Sequence, residues 1–283
     1  MAAERDGSVM SFDSAQAALA PGELVHIGSD GLSVAIAPSA GGRVAQIHCD
    51  GVEWLVGHDA DHRAMIAWGS YPMVPWAGRI RHGKFVFDGD AHALPVNLGA
   101  HAIHGVGLAM PWQVDAHGPH EVELSLELPV DTRWPFGGRA HQRFHVSGHV
   151  LRMEMSVTAG EHAMPATLGW HPWFHKPDRL DFHPEAIYPR DAEGMATLPT
   201  AAPPSGPWDD CFVNVKPVVL HREGQRVRLT SDCHDWVVYD QPTHATCVEP
   251  QTAPPDAVNL ARARVLAPGE TLSAWFVLEW FDS

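Results

Sequence analysis

The 283-residue sequence is short of cysteine, of basic side chains and of long apolar runs, and each shortage removes a class of protein. Its four cysteines, Cys49, Cys211, Cys233 and Cys247, are scattered without a CxxC pair. That argues against a disulfide framework or zinc ribbon and suits a reducing compartment. Lys and Arg number 19 against 34 Asp and Glu, giving a net charge of -15 with histidine neutral. A chain so charged repels nucleic acid and anionic membrane surfaces. No apolar run reaches the ~18 residues of a membrane span. Glu4, Asp6 and Asp13 near the N-terminus do not fit a secretory signal. A soluble, cytoplasmic protein without nucleic-acid or membrane partners is expected. The patterns GxxxxGK[ST], GxGxxG, GxSxG and HExxH are also missing, which removes the stereotyped nucleotide, dinucleotide, serine-hydrolase and zincin sites.

Helical periodicity with caps at both ends is missing too, and alternation is abundant. Val122, Leu124, Leu126 and Leu128 alternate with Glu121, Glu123, Ser125 and Glu127, as strands with one wet face do. Leu151, Met153, Met155 and Val157 repeat the pattern. Phe85-Val86-Phe87 runs into Asp88-Gly89, a hairpin turn signal. Trp236 to Tyr239 is a short apolar run, and Leu272 to Trp280 is apolar on both faces, as in a central strand. With 25 glycines and 24 prolines as punctuation, the pattern predicts an all-β fold, a large antiparallel β-sandwich. Residues 1–20 read as a loose leader and 21–283 as a single domain, with the best internal loop at 201–207.

Several segments offer chemistry. In Gly169-Trp170-His171-Pro172-Trp173-Phe174 a histidine sits among aromatics; it is either packed in an apolar turn or an acid–base group suited to neutral pH, with tryptophans able to stack on a sugar. His171 and His175 have a metal spacing only if helical, which Pro172 opposes. His101 and His104 lie in a glycine-flanked loop, and Arg79 follows Pro75, Trp76 and Gly78. Glu249 stands between an apolar strand end and a proline-rich loop, where partial burial would raise its pKa. Asp209 and Asp210 either cap a turn or bind hydroxyls.

Taken in order, these segments resemble the aldose 1-epimerase (galactose mutarotase-like) family over roughly residues 30 to 280. The resemblance is carried by Arg79-Ile80 with Gly83-Lys84-Phe85, His104-Gly105 with Trp112, His171 before its aromatics, Asp209 to Phe212, Glu249-Pro250-Gln251 with Pro255 to Asn259, and the turn Leu266 to Glu270. Gly78 stands where many relatives carry Asn, and one residue is inserted before Pro255. The resemblance implies a β-sandwich with an open cleft that interconverts the α and β anomers of an aldose. It implies Glu249 as general base, His171 as general acid, and His104 as a third catalytic group. Arg79, Asp209, Trp173 and Gln251 would bind substrate, with no metal and no cofactor. A small sugar is then the partner, and the protein is a monomer or homodimer. A hexose-6-phosphate 1-epimerase is the alternative, which would want clustered Arg or Lys. So are a non-catalytic sugar-binding module and a metal enzyme built on His101, His104, His171 and His175.

Overall fold

A computed structural model describes residues 13–282, and among them strands dominate, with three single-turn 3₁₀ segments and no α-helix. Two antiparallel sheets carry the fold. The larger has ten strands, and its centre runs Arg43–Cys49, Ser70–Met73, Gly169–His175, Ala245–Gln251, Asp235–Tyr239 and Asp209–Val213. The smaller has eight, centred on Arg139–Ser147, Val150–Thr158, Thr271–Asp282 and Gln225–Ser231. One apolar cluster joins Val34, Ile47, Trp170, Phe174, Trp236 and Val248 of the first sheet to Val122, Phe144, Met153 and Phe276 of the second. This is the expected all-β sandwich.

The alternating segments behave as their pattern requires. Glu121–Glu127 buries Val122, Leu124 and Leu126, and Val150–Thr158 buries Leu151, Met153, Met155 and Val157. Lys84–Phe87 pairs with Asp90–Ala93 around Asp88 and Gly89, both at positive φ (52° and 85°), as a two-residue hairpin turn demands. Thr271–Asp282 is central, but it alternates rather than being buried on both faces. Ala274, Phe276, Leu278 and Trp280 point inward, while Trp275 lies on the outer face beneath the Arg152 guanidinium. Long basic side chains of neighbouring strands shield that outer apolar surface.

The leader expected over 1–20 requires correction within the described residues. Ser14–Gln16 forms a 3₁₀ turn, Ala15 is buried, and its N–H donates to the Asn97 carbonyl. Residues 13–20 are therefore packed on the sandwich; residues 1–12 lie outside the described residues. Residues 201–207 form the expected loop before Asp209–Val213, with Ala201 pairing to Ile187.

Strand alternation positions the site. In the ten-stranded sheet Trp170, Phe174, Phe212, Trp236, Val238 and Val248 face the other sheet. Their neighbours His171, Trp173, Asp209, Val237, Tyr239, Glu249 and Gln251 consequently face away from the core, and all line one cavity.

Candidate active site

The cavity has a volume of about 270 Å³, near the lower end of the roughly 300–1,000 Å³ typical of ligand pockets. Its floor is the outer face of the central strands. Its walls are loops carrying Ile66, Gly78, Arg79, Leu98, His104 and Pro255, with Gln16 contributed by the N-terminal turn.

His171 lies inside the strand Gly169–His175, not in a turn, and Glu249 lies inside the adjacent strand Ala245–Gln251. Prolines at 172 and 250 interrupt both segments in sequence, yet both are paired in the sheet. His171 Nε2 stands 3.3 Å from Glu249 Oε1, with both side chains almost wholly buried. Burial pushes the carboxyl well above its usual range, reinforced by the Asp209 charge and opposed by Arg79. Burial likewise pushes His171 down to about 3. Both effects favour the uncharged forms, a carboxylic acid at Glu249 and a neutral imidazole at His171.

The imidazole is held between rings. Tyr71 stacks on it at 4.6 Å and Trp173 at 5.5 Å, while His104 meets it edge-on at 5.1 Å. Of the two tryptophans flanking His171, Trp170 turns into the core and Trp173 faces the cavity. Behind Tyr71 lies Arg43, fully buried, its guanidinium donating to the carbonyls of Ala40, Met65, Trp68 and Leu108. Burial pushes it down to about 9. Those bonds tie down the Met65–Trp68 segment bordering the cavity. Tyr71, Tyr239, Gln16 and Arg43 escape sequence reasoning. The available signal was the scarcity of tyrosine: two of the chain's three line this one cavity.

His104 is buried and neutral, its pKa driven well below normal by burial and by nearby His171 and Arg79. Both His104 and Gly105 have positive φ (64° and 74°). A Cβ on Gly105 would lie 2.1 Å from the Val74 carbonyl oxygen, so only glycine fits there. Gly105→Ala is expected to lower the thermal midpoint by more than ~5 °C, from backbone strain of about 1–3 kcal/mol plus the clash. Calorimetry checks this, and an unchanged midpoint would refute the assignment of that glycine.

Gln251, fully buried, directs its amide nitrogen to Glu249 Oε2 at 3.5 Å. Asp209, not Asp210, lines the cavity, and Arg190 Nη1 donates to its Oδ2 at 2.9 Å and to its carbonyl. Arg79 lines the cavity and forms no ion pair among the described residues. Gly78, at φ 67°, faces Pro255, whose Cβ would stand 2.8 Å from an added side chain. A side chain at residue 78 is therefore opposed both by the positive φ and by the Pro255 ring.

The four-histidine metal arrangement is not assembled among the described residues. His171 and His175 are four apart on a strand, roughly 13 Å. His101 accepts from the His82 N–H, outside the cavity lining. Donor atoms of His171, Cys247 and Glu249 do lie within 4.8 Å of one another. Burial pushes the Cys247 thiol well above its ordinary value, and the Glu249 and Asp209 charges reinforce the shift.

The fold is a two-sheet antiparallel sandwich with a buried imidazole–carboxyl pair on the outer face of its larger sheet. The chain belongs to the aldose 1-epimerase family, whose sequence profile matches residues 23–279. It is 33% identical over 107 residues to the uncharacterized protein YphB of Escherichia coli K12, a stretch covering 37% of this chain and 36% of that relative. The match thus spans about a third of that relative's length. Among solved structures, an Escherichia coli K12 protein described provisionally as an aldose 1-epimerase superposes with a TM-score of 0.80 at 20% identity, covering 92% of this chain and 99% of the other. A galactose mutarotase-like protein of Clostridium acetobutylicum gives 0.80 at 18% (89% and 93%). A galactose 1-epimerase of Lactobacillus acidophilus gives 0.75 at 16% (89% and 92%). At these identities the structures share the fold. No helix among the described residues is long and apolar enough to cross a membrane.

Proposed function

We propose that the protein is an aldose 1-epimerase that interconverts the anomers of a free aldose by opening and closing its ring. The observation that carries this reading is the buried contact between His171 and Glu249 on the floor of a sugar-sized cavity. Ring opening removes a proton from the anomeric hydroxyl, breaks the ring C–O bond and delivers a proton to the ring oxygen. Glu249 as carboxylate takes the first proton, and His171 as imidazolium gives the second. The single proton of the resting pair reaches that state by crossing the 3.3 Å contact from Glu249 to His171. After opening, the proton is back on Glu249 and the imidazole is neutral, the form burial favours. Rotation about the adjoining carbon–carbon bond, followed by the reverse transfers, closes the other anomer. Arg79 and His104 supply hydrogen bonds to ring-side oxygens, Trp173 an apolar face, and Asp209 an acceptor for more distant hydroxyls.

A neutral aldose suits the cavity better than a phosphorylated one. Among the described residues Arg79 is its single Arg or Lys lining residue, whereas a phosphate wants several. Polarimetry or NMR anomer exchange across aldoses, with glucose compared against glucose 6-phosphate, tests the reading. Sugar binding by calorimetry without any acceleration of exchange would instead indicate a binding module.

Arg190 reaches the reaction only through Asp209. Arg190→Ala is expected to raise KM about 10-fold while changing kcat less than about 2-fold, because an interaction equal in ground and transition states affects binding alone. A fall in kcat at constant KM would contradict that placement.

A further inference from the structure

Far from the cavity, two hairpin turns from opposite sheets meet. One is Asp50-Gly51, after the strand Arg43–Cys49 of the ten-stranded sheet; the other is Gly148-His149, between Arg139–Ser147 and Val150–Thr158 of the eight-stranded sheet. His149 Nε2 lies 3.3 Å from Asp50 Oδ2, and Cys49 Sγ lies 3.9 Å from the same oxygen. The three donor groups, one sulfur, one imidazole nitrogen and one carboxylate, all fall within 4.8 Å of one another. They open on a separate cavity of about 100 Å³, lined also by Gln225, Trp280 and Phe281.

We propose that Cys49, Asp50 and His149 bind a zinc ion that clamps the two sheets together. Tetrahedral zinc, at about 2.0–2.3 Å from N, O and S, places its donors roughly 3.3–3.6 Å apart. Two donor edges are 3.3 and 3.9 Å and the third lies within 4.8 Å, so the trio contracts on binding the ion. Binding forms the Zn–S bond and releases the thiol proton to solvent. The small cavity leaves the fourth position to water. A sulfur–nitrogen–oxygen donor set selects zinc over magnesium or calcium, which take oxygen donors alone.

The surroundings fix the donors in place. Asp50 sits at φ 46° with its N–H bonded to the Gly31 carbonyl at 2.7 Å. Gly31, at φ 82°, gives them room: a Cβ there would stand 2.4 Å from Asp50 Oδ1 and 2.5 Å from His149 Nε2. The backbone at Cys49 is pinned by Gln225 Nε2, which donates to its carbonyl at 3.1 Å, and the His149 carbonyl accepts from the Trp280 N–H at 3.0 Å. A histidine–aspartate surface pair alone contributes little. The buried thiol directed at the same carboxylate is what makes a three-donor site.

The test uses the full chain stripped with EDTA, then titrated at neutral pH with Co²⁺ and Zn²⁺. Expected is one equivalent of Co²⁺ bound with a thiolate-to-metal charge-transfer band, and a thermal midpoint raised several degrees by Zn²⁺. Cys49→Ala should lose the band, and His149→Ala should weaken binding at least 10-fold. Cys247→Ala should keep both band and affinity. His149 is on an exposed turn, so its variant decides the matter should Cys49→Ala fail to fold. Absence of the band, its loss in Cys247→Ala rather than Cys49→Ala, or full affinity in His149→Ala would each overturn the assignment.

Discussion

Glu249→Gln is expected to slow anomer exchange by about 10²–10⁴-fold, the usual contribution of a positioned acid–base group. At 1.36 kcal/mol per decade this is roughly 2.7–5.4 kcal/mol of lost transition-state stabilisation. The amide keeps the shape of the carboxyl but cannot accept the anomeric proton. Fold and sugar affinity should survive, because the residue is buried at 2% exposure and already favours its uncharged form in the resting cavity. The measurement is exchange rate by NMR beside sugar binding by calorimetry on the same sample. An undiminished rate in this variant would remove Glu249 from the mechanism.

The second large effect is in the pH profile. The reactive pair needs one shared proton. Below the His171 value of about 3, both groups are protonated and no base remains. Above the raised Glu249 value, both are deprotonated and no acid remains. Activity should therefore be lost as pH falls towards 3 and again as pH rises past a carboxyl titrating well above its ordinary range. Between these limits kcat/KM should be level, with no acid-side loss until pH approaches the lowered His171 value. An alkaline limb near 6.5, with the protein still folded by circular dichroism, would mean that the single proton rests on His171 and that the desolvation account fails.

Much of the frame was legible in the chain itself. Alternation at 121–128 and 151–157 and the Asp88-Gly89 turn report local rules that a two-residue period and positive-φ residues enforce wherever they occur. Thr271–Asp282 was harder, because its outer apolar residues are shielded by arginines from neighbouring strands. The strands holding His171 and Glu249 were harder still: Pro172 and Pro250 lack the N–H that strands normally use, and sheet neighbours on both sides overrode that local signal. The N-terminal turn has no apolar pattern of its own, and its bonds with the backbone of Asn97, Arg63, Met65 and Gly99 order it.

For the site, the sequence by itself determined the set of groups: Arg79, His104, His171, Asp209, Glu249 and Gln251, in family order. It also determined, through strand period, that residues two apart such as Glu249 and Gln251 share a face. Tertiary structure alone decided which of Asp209 and Asp210 turns inward, that Trp173 rather than Trp170 faces the cavity, and that Tyr71 and Arg43 stand behind the imidazole. It decided the protonation of the pair as well. A pKa depends on solvent excluded by residues distant in sequence, and no spacing within Gly169–His175 or Ala245–Gln251 records how deeply those strands are covered.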